Sequence, residues 1–165
     1  MEIFPKCVLI KKLEDYYKNK IISELKKIDN NNSGKLVFYS KICKDFELQK
    51  YLNFEIAKDL RCLLTRIRIG AHSLAIEIGR YSKPKIPSNQ RFCMFCKDKV
   101  EDEVHFLFEC PQYSHIRSNY QISFLNTNNF DTIKEKLNPK SSQELKRLCL
   151  YIKEALYTRD HLSVN

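Results

Sequence analysis

Four residues in one short window, Cys93, Cys96, His105 and Cys110, constrain this chain more than any other feature. Two residues separate Cys93 from Cys96, a spacing that lets a tight loop wrap a metal ion. Eight residues then lead to His105 and four more to Cys110, so the end of a short helix closes the set. Three thiols and an imidazole are the donor chemistry of structural zinc, and four protein ligands leave no coordination position for water. The expected cofactor is Zn2+, held for architecture and not for catalysis.

Other chemistries fit the cluster less well. A redox Cys-x-x-Cys sits where a strand meets a helix in a thioredoxin-like βαβ unit, and no such pattern flanks Cys93. A cysteine nucleophile needs a base and a third group to orient that base, and no such group is apparent beside His105. Within the metal reading, His115 follows Cys110 by five residues and is an alternative to His105 as the fourth ligand. His105 is preferred because Glu101-Asp102-Glu103 suit the first turn of a short helix, which brings His105 near Cys110. On that helix Val104, Leu107 and Phe108 face inward, and Pro111 follows its end.

The other cysteines, Cys7, Cys43, Cys62 and Cys149, lie in apolar helical patterns and read as buried small side chains. No signal peptide is expected, because the apolar stretch from Ile3 to Ile10 is short and broken by Pro5 and Lys6. Clustered thiols at metal spacing belong in a reducing compartment, so the expected location is nuclear or cytoplasmic. No run approaches the ~18 apolar residues of a membrane helix, and no membrane partner is expected.

At 165 residues and 43% apolar content, the chain is long enough for one domain with a real core. The expected fold is mainly α, a helical domain with a small β-hairpin carrying Cys93 and Cys96. Residues 1–52 form an N-terminal helical segment, 53–92 a basic helix and connector, 93–118 the zinc knuckle and 119–165 the C-terminal helices, packed as one unit. Leu9, Leu13, Tyr17, Ile21, Leu25 and Ile28 give one face of a helix over 8–28, and 29–34 is a turn. The stretch Leu36-Val37-Phe38-Tyr39 suits a short strand or a helix start equally. A second helix runs from an Asn53 cap to a Gly70 stop, with Ile56, Leu60, Leu63, Leu64 and Ile67 on its core side. Lys58, Arg61, Thr65 and Arg68 gather opposite them. A short apolar segment from Leu74 ends at Gly79, and 113–125 is helical before a polar loop over 126–129. Ser141 and Glu144 stand at capping-box spacing before a helix whose face is Leu145, Leu148, Cys149, Ile152, Ala155 and Leu156.

The net charge is +9, which favours an anionic partner. Most of it lies between residues 58 and 91, where eight Lys and Arg face only Asp59 and Glu77. No paired carboxylates, phosphate-cradling glycine loop or Ser/His/Asp set stands out, so neither an enzyme nor a small-molecule substrate is expected.

The run Leu63-Leu64-Thr65-Arg66-Ile67-Arg68-Ile69-Gly70-Ala71-His72-Ser73-Leu74-Ala75-Ile76-Glu77-Ile78-Gly79-Arg80-Tyr81 resembles the region after the polymerase in non-LTR (LINE-type) retrotransposon reverse transcriptases. So do Cys93-Met94-Phe95-Cys96, the run from Glu101 through His105 and Cys110 to Tyr113, and Ile116-Arg117. The resemblance covers about 54 to 118. It implies that Cys93, Cys96, His105 and Cys110 bind zinc and that the basic segment before them contacts template RNA or target DNA. No Tyr-x-Asp-Asp polymerase motif is present, so the resemblance is to the tail of a larger enzyme, whose polymerase is a possible partner.

The expected nucleic-acid contacts are Lys58, Arg61, Arg66, Arg68, Arg80, Lys83, Lys85 and Arg91 for phosphates, with Phe92 and Phe95 for stacking on unpaired bases. The alternative is a structural or protein-interaction zinc domain, its helices over 8–28 and 141–157 docked on a partner protein. Removing the metal is expected to unfold the knuckle locally, with flanking helices keeping a partial core.

Overall fold

A computed structural model describes residues 6–32, 34–43, 48–124 and 129–162, without the side chains of residues 6, 7, 9 and 162. Seven α-helices occur among these residues: α1 (Lys6–Asn31), α2 (Val37–Ile42), α3 (Lys58–Arg68), α4 (Ala75–Tyr81), α5 (Ser114–Asn119), α6 (Phe130–Lys136) and α7 (Ser142–Leu162). None of the described helices is long and apolar enough to cross a membrane. The side chains of Cys7 and Leu9, and the loop residues 126–128, lie outside what is described.

The core is built on α3 and α7, which pack against each other through the stripes their sequences carry. Leu60, Leu64 and Ile67 of α3 meet Leu145, Leu148, Cys149, Ile152 and Ala155 of α7 in one apolar cluster. Phe38 and Ile42 of α2, Ile133 of α6 and Phe106, Leu107 and Phe108 join the same cluster, so it draws on most of the chain. Each of the buried Leu, Ile and Phe side chains contributes about 1.5–3 kcal/mol by leaving water. The start of α7 is fixed as its sequence suggests. The Glu144 amide donates to Ser141 Oγ (3.2 Å), and the Glu144 carboxylate accepts from the Lys140 amide (2.8 Å).

Several local expectations are corrected. The region 35–52 resolves toward helix, as α2 followed by a 3-10 turn at Lys50–Asn53. Helix α3 starts at Lys58 and not at Asn53. Gly70, at φ +66, does lie just past its end, in a left-handed conformation that favours glycine. Cys62 is exposed, whereas Cys43 and Cys149 are buried.

The β-hairpin is absent: the described residues contain one isolated bridge, Phe92 with Val100, and no strand. Pairing stops there because the chain between them curls. The Cys93 amide donates to Lys99 O (2.8 Å) and the Lys97 amide to Cys93 O (3.0 Å), closing a compact loop in place of a ladder. Helix α1 buries little of its apolar face: Leu25 is buried, while Ile10, Leu13, Tyr17 and Ile21 remain exposed.

Candidate metal centre and basic surface

The closed loop after Phe92 brings in Cys93 and Cys96, and the segment after Val104 brings in the other two donors. That segment is wound as a π-helix, His105–Glu109, with the Cys110 amide donating to His105 O (2.8 Å). The winding has a purpose in the geometry. Five residues along an α-helix turn the side chain through about 140° from its start, away from a shared ligand. The wider π turn returns His105 and Cys110 to one side. Its orphaned carbonyls are satisfied from α7, where the Tyr151 hydroxyl lies 3.1 Å from Phe106 O and 2.8 Å from Leu107 O. The His105 amide donates to Asp102 Oδ1 (2.8 Å), and buried Arg117 donates to Cys110 O (2.7 Å).

The four donor atoms all lie within 4.8 Å of one another. Cys93 Sγ and Cys110 Sγ are 3.8 Å apart, and Cys96 Sγ is 3.3 Å from His105 Nε2. With Zn–S bonds of about 2.3 Å, the sulfur–sulfur edge of a regular tetrahedron is ~3.8 Å. The donor set therefore fits one metal ion. His115 is exposed on α5 and is not part of the converging group.

The electrostatics are those of a crowded thiolate site. A hydrogen bond from Cys110 brings the Cys93 thiol down to about 3; the same contact, with burial, pushes Cys110 up. Burial also raises Cys96. For His105, burial opposes the charge, but its hydrogen bond to Cys93 and the nearby charges of Cys93, Asp102 and Glu109 outweigh it and raise its pKa. A dication bound here would take the place of the protons these groups hold between them.

Nδ1 of His105, the nitrogen pointing away from the sulfurs, is buried without a hydrogen-bond partner. Glu109 Oε2 stands 3.7 Å from it and 3.2 Å from Lys99 Nζ, so this carboxylate bridges the π turn to the loop. At 3.7 Å the carboxylate acts through its charge, which favours the imidazole proton on Nδ1 and leaves Nε2 free to ligate. Glu109→Gln is expected to lower metal affinity about 10- to 100-fold with stoichiometry unchanged, measured by competition against a chelator. An unaltered affinity would remove Glu109 from the site.

The ten basic and aromatic candidates divide evenly. Lys58, Lys83, Lys85 and Phe92 are exposed, as is Arg66, whose Nε donates to Ala71 O (2.9 Å). The other five are engaged in the fold. Arg68 is 1% exposed and donates to Leu137 O (3.1 Å) and Gln49 Oε1, with Tyr51 beneath its guanidinium. This corrects its expected place on an open face. Arg68 follows Leu64 by four residues, only about 40° around the helix, and so borders the apolar stripe. Arg61 donates to Phe54 O (2.9 Å). Arg80 pairs with Glu77 (2.8 Å). Arg91 donates to Ile76 O (2.6 Å) and twice to Ile86 O, lying against Gly79, where a Cβ would meet its side chain at 2.8 Å. Phe95 packs edge-on against Tyr113 with ring centres 5.8 Å apart.

Sequence reasoning missed the residues that hold the centre from outside: Tyr151, Arg117, Glu109 and Arg159. Arg159 carried a signal, because it continues the 145, 148, 152, 155 stripe of α7. Compared with known proteins, the chain matches no family model, no curated protein and no solved structure.

Proposed function

We propose that this chain is a zinc-organised nucleic-acid-binding module, of the kind found in the tail of LINE-type reverse transcriptases. The observation that carries the metal half is the convergence of Cys93, Cys96, His105 and Cys110 at zinc-tetrahedron spacing. A closed shell of three thiolates and one imidazole selects zinc and leaves no position for a catalytic water. The role is binding, not catalysis.

The nucleic-acid half rests on what the fold leaves exposed next to that centre. Lys83 and Lys85 lie between α4 and the metal loop, Phe92 opens the loop at 48% exposure, and Lys58 and Arg66 extend the charge along α3. Lysines of this kind contact phosphates and release counterions, and the affinity they supply falls as salt rises.

The test is fluorescence anisotropy of a labelled RNA hairpin and a DNA duplex, with zinc-loaded and chelator-stripped protein at low and moderate salt. Binding is expected in the loaded form, weakening steeply with salt. Lys83→Gln with Lys85→Gln is expected to reduce the slope of log affinity against log salt by about 2, with zinc content unchanged. Absence of binding, or binding indifferent to salt, would overturn the reading.

A second reading, docking on a protein partner, has one observation in its favour. Ile10, Leu13, Tyr17 and Ile21 form an exposed stripe on α1. The apolar face of α7 offers no such surface, being buried in the core.

A further inference from the structure

A groove of about 440 Å3 opens where α4 passes the end of α3, and of the ten expected nucleic-acid contacts only Arg66 lines it. One wall is apolar and unusually open: Ile78 is 53% exposed, and Tyr81, one turn later on α4, is 66% exposed. The same groove is lined by two cations, Arg66 of α3 and Lys35 just before α2. Gly70 lets these elements come together. A Cβ there would meet Lys35 O at 2.6 Å, so only glycine lets the Lys35 backbone approach the end of α3.

The charge balance of the groove is one-sided. Its one carboxylate, Glu77, is buried and paired with Arg80 at 2.8 Å. His72, another lining residue, pairs with Glu103 at 3.0 Å. Lys35 and Arg66 form no ion pair among the described residues, and the Ser73 hydroxyl, which also lines the groove, has no hydrogen-bond partner there. A groove of this size, lined by an exposed aromatic ring, two cations without ion-pair partners and a hydroxyl, suits one planar base joined to a phosphate.

We infer that this groove seats an unpaired nucleotide, which makes single-stranded nucleic acid the preferred partner. The base lies on Tyr81 and Ile78, and the adjoining phosphate takes Arg66, Lys35 and Ser73. A base inside a duplex does not present its face to Tyr81, so the groove discriminates against paired strands. The inference rests on the nucleic-acid reading above and adds to it the strand state and the residues that read it.

Anisotropy of the full zinc-loaded chain with labelled oligouridylate and oligothymidylate of about a dozen nucleotides, against a duplex of similar length, tests it. The single strands are expected to bind more tightly than the duplex. Tyr81→Ala should weaken single-strand binding about 5- to 100-fold, the loss of one base–aromatic stack, and leave duplex binding and zinc content as they were. Tyr81→Phe should retain the affinity. Lys35→Gln with Arg66→Gln should lower the salt slope for single strands by about 1.4. Tyr81 is exposed, so none of these effects is expected to come from misfolding, and an unchanged circular dichroism spectrum checks that. If Tyr81→Ala binds single strands as well as the parent does, or loses duplex and single strand equally, the groove is not the base site, while general binding stands. If the parent binds neither form, both readings fall together.

Discussion

Stripping the metal is expected to abolish the cooperative unfolding transition of the whole chain, and not only to loosen the loop around Cys93. The candidate ligands lie in or against the core. Cys93, His105 and Cys110 are buried, and Phe106, Leu107 and Phe108, between the last two ligands, are at most 1% exposed. The same turn receives the Tyr151 hydroxyl from α7. Loss of the ion leaves several protonated or repelling donors in a buried site, and the turn that carries three core aromatics and aliphatics loses what holds its ends. Structural zinc contributes on the order of 10 kcal/mol, against about 5–15 kcal/mol for the entire stability of a domain. The sequence alone leads to the expectation of local unfolding; the packing of the turn into the shared core leads to the larger effect, and the melts decide between them. The flanking helices share one apolar cluster with the metal turn, whose Phe106, Leu107 and Phe108 complete the core built on α3 and α7. Thermal and urea melts with and without chelator, followed by near-ultraviolet circular dichroism of the buried tyrosines, measure the effect. Cys110→Ser should reproduce it. A stripped chain that still melts in one sharp transition, and loses amide protection only near residues 92–100, would show that the metal serves the loop alone.

The parts of the fold that were legible in the sequence are those governed by local rules. The stripes of α3 and α7, the Gly70 stop and the Ser141/Glu144 start all follow from residue type and spacing within a few positions. The donor set was legible for the same reason, since its window is short. What was not legible depended on long-range partners. The π winding at His105–Glu109 needs Tyr151, over forty residues later, to satisfy its carbonyls. Arg68 and Arg61 carry charge that a sequence assigns to solvent, yet the guanidinium of each finds backbone carbonyls that only the folded chain presents. The run Glu101-Asp102-Glu103 suits a helix dipole when read locally. In the fold, each acid has its own partner: Arg159 for Glu101, the His105 amide for Asp102 and His72 for Glu103.

The first of those acids yields the second large expected effect. Glu101 is fully buried between the bridge that closes the metal loop and the π turn, and its carboxylate accepts from Arg159 Nε (2.9 Å), Arg159 Nη2 (2.8 Å) and the Ala75 amide (2.6 Å). One side chain thereby joins the loop to α7 and to the start of α4. Glu101→Ala is expected to cost about 3–5 kcal/mol, because it leaves the Arg159 guanidinium inside the protein with only Asp160 at 3.5 Å for company. For a chain of this size that is roughly 6–20 °C in melting temperature. Arg159→Met, which removes the cation and keeps the packing, should cost less. The double variant should then be more stable than the sum of the two losses implies, since neither charge remains to be buried alone. Urea melts of the four proteins measure the coupling. If the two losses simply add, the pair is incidental to the fold. If they do not, Glu101 is what fixes the metal loop against α7, and the Glu101→Ala protein should also hold its metal more weakly in chelator competition.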